Sequence, residues 1–522
     1  MVETGHHHQH PPAPAAAGPP PVSSMAISRG TTWTPAEQLH HLQYCIHSNP
    51  SWHETFVLAF QHYIVMLGTT VLIANTLVTP MGGDAEDKAR VIQTILFMSG
   101  INTLLQTLIG TRLPTVMGVS FAYVLPVLSI IRDYNDGQFQ TEKQVPAYNE
   151  NSTRISNHFF IRQHHNWIRS SVGELDKLAN CVEIGLPMLI LLILSQQYLR
   201  FLLRKIQMIL ERYALLVCLA LIWAFAAILT VSGAYNNVSV ATKLSCRTDR
   251  SFLMSAAPWI SIPYPFQWGT PIFRASHVFG MFGAAIVASA ESTGVFFAAS
   301  RLAGATAPPA HVVSRSVGLQ GVGVLLEGIF GSITGNTASV ENVGLLGLTR
   351  IGSRRVVQIS TGFMIFFAIF GKFGAFFASI PLPIFGGVYC ILLGIVAAVG
   401  ISFIQFTDTN SMRNMYVVGV SLFLSLSIAQ YFISNTTRAG YGPVRTAGGW
   451  FNDILNTIFA SAPFVAITVA TVLDNTLEAR HAINERGIPW WKPFQHRNGD
   501  GRNEEFYSFP LRVGEYIPTR FL

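Results

Sequence analysis

"ASVENVGLLGLTR", residues 338–350, carries a carboxylate, an amide and an arginine within an apolar run. A charge inside a bilayer costs several kcal/mol unless it faces a cavity or a partner. Whether Glu341 and Asn342 lie in a membrane therefore decides how the chain is read. Composition answers first. Of 522 residues, 50% are hydrophobic and 12% charged, with a mean hydropathy of +0.38, whereas soluble domains are about 25% charged. Apolar stretches near the roughly 20 residues that cross the hydrocarbon recur along the sequence, so the chain reads as an integral membrane protein. The net charge of +7 does not indicate nucleic acid, because Lys and Arg flank the apolar runs and form no separate basic domain.

Working outward from 338–350, apolar runs bounded by charge or turn residues lie at about 54–75, 90–110, 112–132, 180–199, 212–233, 278–302, 317–335, 341–352, 356–379, 383–405, 415–434 and 454–476. These make twelve expected spans in a membrane domain over 54–477. Placing the N-terminus in the cytoplasm puts Arg200, Arg204, Lys205 and Arg212 inside, with Arg301, Arg315, Arg350, Arg354, Arg355 and the basic tail 478–522. This fits the positive-inside rule. It places 234–277 and 435–453 outside, where Asn237-Val-Ser239 and Asn435-Thr-Thr437 have the form of glycosylation acceptors. Residues 1–53 read as a disordered cytoplasmic tail that includes "HHHQHPPAPAAAGPPPVSS" (6–24), too rich in Pro, Ala and His to bury a core. The tail precedes the first apolar run and does not resemble a cleaved signal. Five scattered cysteines form no CxxC pair, and neither a disulfide framework nor a metal site is expected.

Two runs depart from plain apolar helices. "LPTVMGVSFAYVLP" (113–126) is punctuated by Pro114, Gly118 and Pro126, and "GSITGNTASVENVGLLG" (331–347) by glycines and small polar residues. Irregular backbone at membrane depth is tolerated only where it is buried or lines a cavity. Two interrupted helices in two halves of a chain point to a ligand site at the midplane, faced by half-helix N-termini. Glu341 would open the second half-helix, and with Asn342 it offers acceptors and donors suited to the edge of a planar heterocycle. Glu291, in "VASAESTGVFFAAS", lies deep in a span among small residues; it is either an ionisable binding group that exchanges protons during transport or a hydrogen-bonding partner of a neighbouring helix. Phe121 could stack on a flat ligand or simply fill the core. His62, beside Gln61, could shuttle protons or serve as a structural histidine. Glu183 and Glu327 sit nearer span ends, where structural roles are expected. No nucleophile–base pair or metal spacing suggests an enzyme or a cofactor.

"ENVGLLGLTR" resembles the signature of the nucleobase–ascorbate transporter family, with Glu341, Asn342, Gly344, Thr349 and Arg350 in matching positions. "QHYIVMLGTTVL" is similar to the family's first helix, "GVSFAYVLP" to its third and "ASAESTGVFFAASR" to its eighth. The resemblance covers roughly 54–140 and 180–522. It implies an all-α polytopic fold of two inverted seven-helix repeats, with core and gate domains, broken third and tenth helices, an elevator-like movement and homodimers. It also implies that Glu291, Glu341, Asn342, Phe121, Ser120 and the backbone near Val340 bind a nucleobase, with protons as coupling ions at Glu291 and His62 and the plasma membrane as location. By the same resemblance, Glu341 at the first signature position argues against ascorbate and leads to xanthine, uric acid or a related oxidised nucleobase, with uracil and adenine as alternatives.

One stretch departs from that pattern. "VPAYNENSTRISNHFFIRQHHNWIRSSVGELDKL" (145–178) has no 18-residue apolar run, and Arg154, Arg162, His164, His165 and Arg169 forbid an ordinary span. The family's fourth and fifth helices are thus expected to be missing, a loss that preserves parity. Two readings follow: a proton-coupled symporter on an altered scaffold, or a non-transporting truncated isoform that dimerises with full-length partners.

Overall fold

The computed structural model describes residues 42–131, 181–202, 204–238, 240–249, 257–271, 273–406, 410–436, 442–478 and 506–508. The atypical stretch 145–178 and the His-rich leader lie outside them. Helix α1 (Trp52–Val78) begins where Ser51 and Glu54 exchange side-chain and backbone hydrogen bonds, and α2 (Ala85–Leu108) begins with the same device built from Asp84 and Asp87. At 1.5 Å per residue, the 27 residues of α1 extend about 40 Å, enough to cross a bilayer.

The next segment is interrupted. A three-residue strand, β1 (Met117–Val119), leads into α3 (Phe121–Ile131), whose first turn is a 3-10 helix. Then follow α4 (Val182–Leu199), α5 (Gln207–Val231), the short α6 (Val240–Cys246), α7 (Ala275–Leu302) and α8 (Ala310–Phe330). The last ends at Gly331, whose φ of 75° gives the left-handed turn that closes it. Strand β2 (Asn336–Ala338) opens the second interrupted segment and α9 (Val340–Thr349) continues it. The chain finishes with α10 (Arg354–Ile369), α11 (Gly371–Ala378), α12 (Leu382–Ser402), α13 (Met412–Asn435), α14 (Gly449–Ala460) and α15 (Ala462–Thr476).

Each of the twelve apolar runs coincides with helical structure, but they are not twelve plain spans. Among the described residues, eight helices are long and apolar enough to cross a membrane. The pairs α10–α11 and α14–α15 raise this to ten if each is one span, although they bend by 104° and 84°. Gly371 is required at the first bend, because a Cβ there would come within 2.7 Å of the Pro258 carbonyl. The remaining two runs are the interrupted segments.

The all-α expectation also needs one correction. The interrupted segments meet as an antiparallel two-stranded sheet, with Met117 opposite Ala338, Gly118 opposite Thr337 and Val119 opposite Asn336. Away from helices these backbone amides would otherwise lack partners, and the pairing supplies them. Around this crossing, α2 packs on α10, α1 on α2 and α10, α9 on α12, and α7 on β2 and α9. The core between α1 and α10–α11 is aromatic, with Tyr63 stacked on Phe367 at 4.7 Å and Phe60 edge-on to Phe363 and Phe377.

A second correction concerns cysteine. Cys181 and Cys246 form a disulfide with Cα atoms 6.1 Å apart, joining the start of α4 to the end of α6. A lone pair of cysteines 65 residues apart has no spacing signature, so it was invisible in sequence. Parts of both tails, moreover, are folded against the bundle. Tyr44 forms a β-bridge with Ile351, Ile46 donates its N–H to the Ala303 carbonyl, and Phe506 and Tyr507 are buried. The basic residues Arg315 and Arg354 hold this last pair by its backbone carbonyls.

Candidate functional site

The crossing of the two interrupted segments sets the site. Ser120 caps α3, accepting the Ala122 N–H on its Oγ at 3.2 Å, while its own N–H donates to the Gly335 carbonyl beyond β2. Ser339 caps α9 in the same way, its Oγ accepting the Asn342 N–H at 3.2 Å. Both half-helices therefore start at the strand pair. At Gly118 β1 runs close to α1, where a Cβ would meet the flexible end of the Met66 side chain, 2.5 Å from its sulfur.

Beyond the cap, a chain of hydrogen bonds has a definite direction. Asn342 Nδ2 donates to Ser339 Oγ at 3.0 Å, and Ser339 Oγ donates to Glu341 Oε2 at 2.9 Å. With its Nδ2 so committed, Asn342 offers its carbonyl oxygen to His62 Nδ1, 2.9 Å away. The imidazole must be the donor there, which assigns a proton to Nδ1. Thus α1 is tied to α9 by buried groups, and the Glu341 carboxylate is held at the helix N-terminus, where the macrodipole favours negative charge.

Glu291 reaches the same place from α7. Its neighbour Ser292 anchors β2, sharing a hydrogen bond with Thr337 Oγ1 at 2.9 Å and accepting the Ala338 N–H at 3.0 Å. The helix that carries Glu291 packs on both β2 and α9, the helix that Glu341 opens. Burial separates the residues into two groups: Ser120, His62 and Asn342 are buried, whereas Phe121, Glu291, Val340 and Glu341 are half-buried. The buried set positions, and the half-buried set presents an aromatic ring, two carboxylates and a helix N-terminus. Among the described residues no cluster of three or more His, Cys, Asp or Glu side chains is arranged to hold a metal ion.

The other signature residues stand apart from this cluster. Gly344 lets α9 touch α12, since a Cβ there would lie 2.4 Å from the Leu392 carbonyl. The Thr349 hydroxyl donates to the Leu345 carbonyl, and Arg350, at φ 58°, ends the helix while its carbonyl accepts the Gln43 N–H. Gln61 donates to the Arg212 carbonyl of α5, and Glu183 accepts the Tyr235 hydroxyl, so each links its helix to another segment. Sequence reasoning missed Ser292, Thr337 and Ser339; the small polar residues of 331–339 were visible, but not which partner each would take.

Comparison with known proteins agrees with this arrangement. A family model described as "Permease family" matches residues 53–147 and 163–434, so the match breaks inside 145–178. Nucleobase-ascorbate transporter 3 of Arabidopsis thaliana is 80% identical over all of both chains. That alignment runs to 553 positions against 522 residues here, so this relative carries residues that the chain lacks. Nucleobase-ascorbate transporters 2 and 1 of the same plant are 51% and 49% identical, each over 93% of this chain and 97% and 98% of their own lengths. These relatives are named as transporters and not enzymes, and the chain, a multi-pass membrane protein, belongs to the permease family as one of its nucleobase-ascorbate transporters.

Proposed function

We propose that this chain carries nucleobases across the plasma membrane together with protons, with xanthine and uric acid as first substrates. One observation carries the reading: Phe121, Glu291 and Glu341 are half-buried about a crossing whose backbone and buried polar partners are fixed from behind. A planar base has a face for Phe121 and an edge of N–H and C=O groups for the two carboxylates. Glu291 would carry the coupling proton through the cycle while His62 orients Asn342. The elements α1–α3 and α7–α10, which build the site, would act as the core. The remaining helices would form the gate and dimer surface, with core sliding against gate in an elevator-like movement. Both termini would face the cytoplasm, consistent with the basic flanks. The break in the family match and the longer alignment support a scaffold shortened near 145–178. The non-transporting alternative finds no support in these matches.

The test is uptake of radiolabelled xanthine, uric acid and ascorbate by yeast lacking its own purine carriers, after surface expression is confirmed. The expected result is saturable purine uptake that collapses with a proton uncoupler, no ascorbate uptake, and loss of at least about tenfold in Glu291→Gln. Surface protein without purine uptake would overturn the reading. Normal, pH-sensitive uptake by Glu291→Gln would remove Glu291 from coupling.

A further inference from the structure

The short segment before α1 is stitched to the proposed core by its backbone. The Gln43 N–H donates to the Arg350 carbonyl and the Ile46 N–H to the Ala303 carbonyl, each at 3.0 Å. In return, the Tyr44 and Ile46 carbonyls accept the N–H groups of Gly352 and Arg354 at 2.8 and 3.3 Å. These bonds fix residues 43–46 as a strap across the end of α7 and the turn between α9 and α10. Beneath it, Tyr44 packs with Tyr213 of α5 against Leu58, Ala59, Ile351 and Val356.

The side chains of the same strap reach the other way, to α5, a helix of the proposed gate. Arg212 Nε donates to Gln43 Oε1 at 2.9 Å, and Gln43 Nε2 donates to Glu211 Oε2 at 2.9 Å, so one amide holds two adjacent charged residues of α5. Arg212 Nη1 also pairs with Glu54 in the first turn of α1. Tyr44 completes the arrangement: its hydroxyl donates to Glu54 Oε2 at 3.2 Å, and the Arg212 guanidinium lies 5.5 Å from its ring centroid. Further along α1, Gln61 Nε2 donates to the Arg212 carbonyl at 2.9 Å.

We infer that Gln43, Tyr44, Glu54 and Arg212 form a latch that holds core to gate in the arrangement seen here and lets go of α5 when the core slides. The inference rests on the division into core and gate proposed above. Apolar faces slip past one another with little change in buried area, but hydrogen bonds and ion pairs have direction and are lost beyond about 3.5 Å. A shift of one helical turn, about 5.4 Å, would part all of these contacts. The strap cannot follow α5, because its backbone is bonded to the ends of α7 and α9. Parting also strands a charge: the Arg212 side chain is only 10% exposed, so its guanidinium loses its partners before water reaches it. That cost falls on the displaced arrangement alone and biases the resting equilibrium toward the latched one.

The experiment measures the distance between one spin label on the core and one on the gate, in the purified full chain reconstituted in lipid, with and without xanthine. It needs no uptake. The labels sit on Ile109→Cys, just past the end of α2, and Met412→Cys, at the start of α13, both exposed and outside the latch. The parent carries Cys45→Ser and Cys390→Ser so that only these two positions are labelled. Arg212→Gln should enrich a second distance about fivefold or more over the parent. Gln43→Ala, which spares the ion pair and frees both charged residues of α5 from the strap, should enrich the same distance, and is the decisive variant if Arg212→Gln does not fold. A second distance present in the parent and unchanged in both variants would overturn the latch and leave the sliding movement standing. A single distance in every sample, those with xanthine included, would overturn the sliding movement and the latch with it.

Discussion

The two interrupted segments perform one topological task with opposite means. β1 is Met117-Gly118-Val119, apolar and buried, and it is held largely through backbone: the Met117 N–H donates to Thr103 Oγ1 at 2.8 Å and the Ser120 N–H to the Gly335 carbonyl. β2 is Asn336-Thr337-Ala338, and its surroundings are held by side chains, Thr337 by Ser292 and Asn342 by His62. The first arm opens into a 3-10 turn carrying Phe121, the second into a capped ten-residue helix carrying Glu341. The first supplies a wall and the second a polar edge. Because the second arm's polar groups are desolvated and interlocked, changes there should cost more than the matching changes in the first.

The largest difference is expected at the paired glycines. Gly344→Ala drives a Cβ against the Leu392 backbone carbonyl, which cannot yield without separating α9 from α12, whereas Gly118→Ala meets only the flexible Met66 side chain. Gly344→Ala should lose most surface expression, and Gly118→Ala should retain a folded protein. Fluorescence-detected size exclusion of both variants checks this, and equal profiles would break the asymmetry. Next comes Asn342→Ala, which leaves the buried His62 Nδ1–H without its acceptor and frees Ser339. A stability loss of about 1–3 kcal/mol is expected, with uptake reduced more than about tenfold through the released Glu341 carboxylate. Rescue by Asn342→Asp, which keeps an acceptor but loses the donor to Ser339, should be partial.

How much of this was legible beforehand follows the same divide. Hydropathy located the runs, Pro114, Gly118 and Pro126 marked the first interruption, and Glu341-Asn342 marked the second, because charge and turn residues in an apolar run are local signals. Pairing of Met117 with Ala338 was not legible, since three-residue strands show no alternation and their partners lie more than 200 residues apart. The Cys181–Cys246 bridge and the sharp bends at Gly371 and Ser461 depend in the same way on tertiary neighbours. Glu327 was read as a residue near a span end, which is its place along α8. Its burial against Asn102 comes from α2, a helix 225 residues away along the chain.

The two caps sharpen the comparison further. Ser339→Ala removes an N-cap, worth about 1 kcal/mol, and also the hydroxyl that orients Glu341 and receives Asn342 Nδ2. Ser120→Ala removes a cap whose side chain accepts only the Ala122 N–H among its described bonds. Ser339→Ala should therefore weaken apparent affinity for purine by about tenfold, and Ser120→Ala by about threefold or less. Initial uptake rates across substrate concentrations measure both. A larger defect in Ser120→Ala would mean that its hydroxyl touches the ligand directly.

The smallest expected effect is the most discriminating for the wall. Phe121 is half-buried and packs against the main hydrophobic cluster, so part of its surface belongs to the core and part faces the crossing. Phe121→Ala removes both contributions, while Phe121→Leu keeps most of the apolar volume and loses only the ring face. If the ring stacks on a base, Phe121→Leu should fold normally yet raise the apparent Michaelis constant for xanthine about fivefold, in line with about 1 kcal/mol for an aromatic contact. If the ring only fills space, Phe121→Leu should match the wild type in affinity and Phe121→Ala should fail through stability alone. The first outcome would make the apolar arm a recognition surface in its own right, and the second would leave recognition to the carboxylates of α7 and α9.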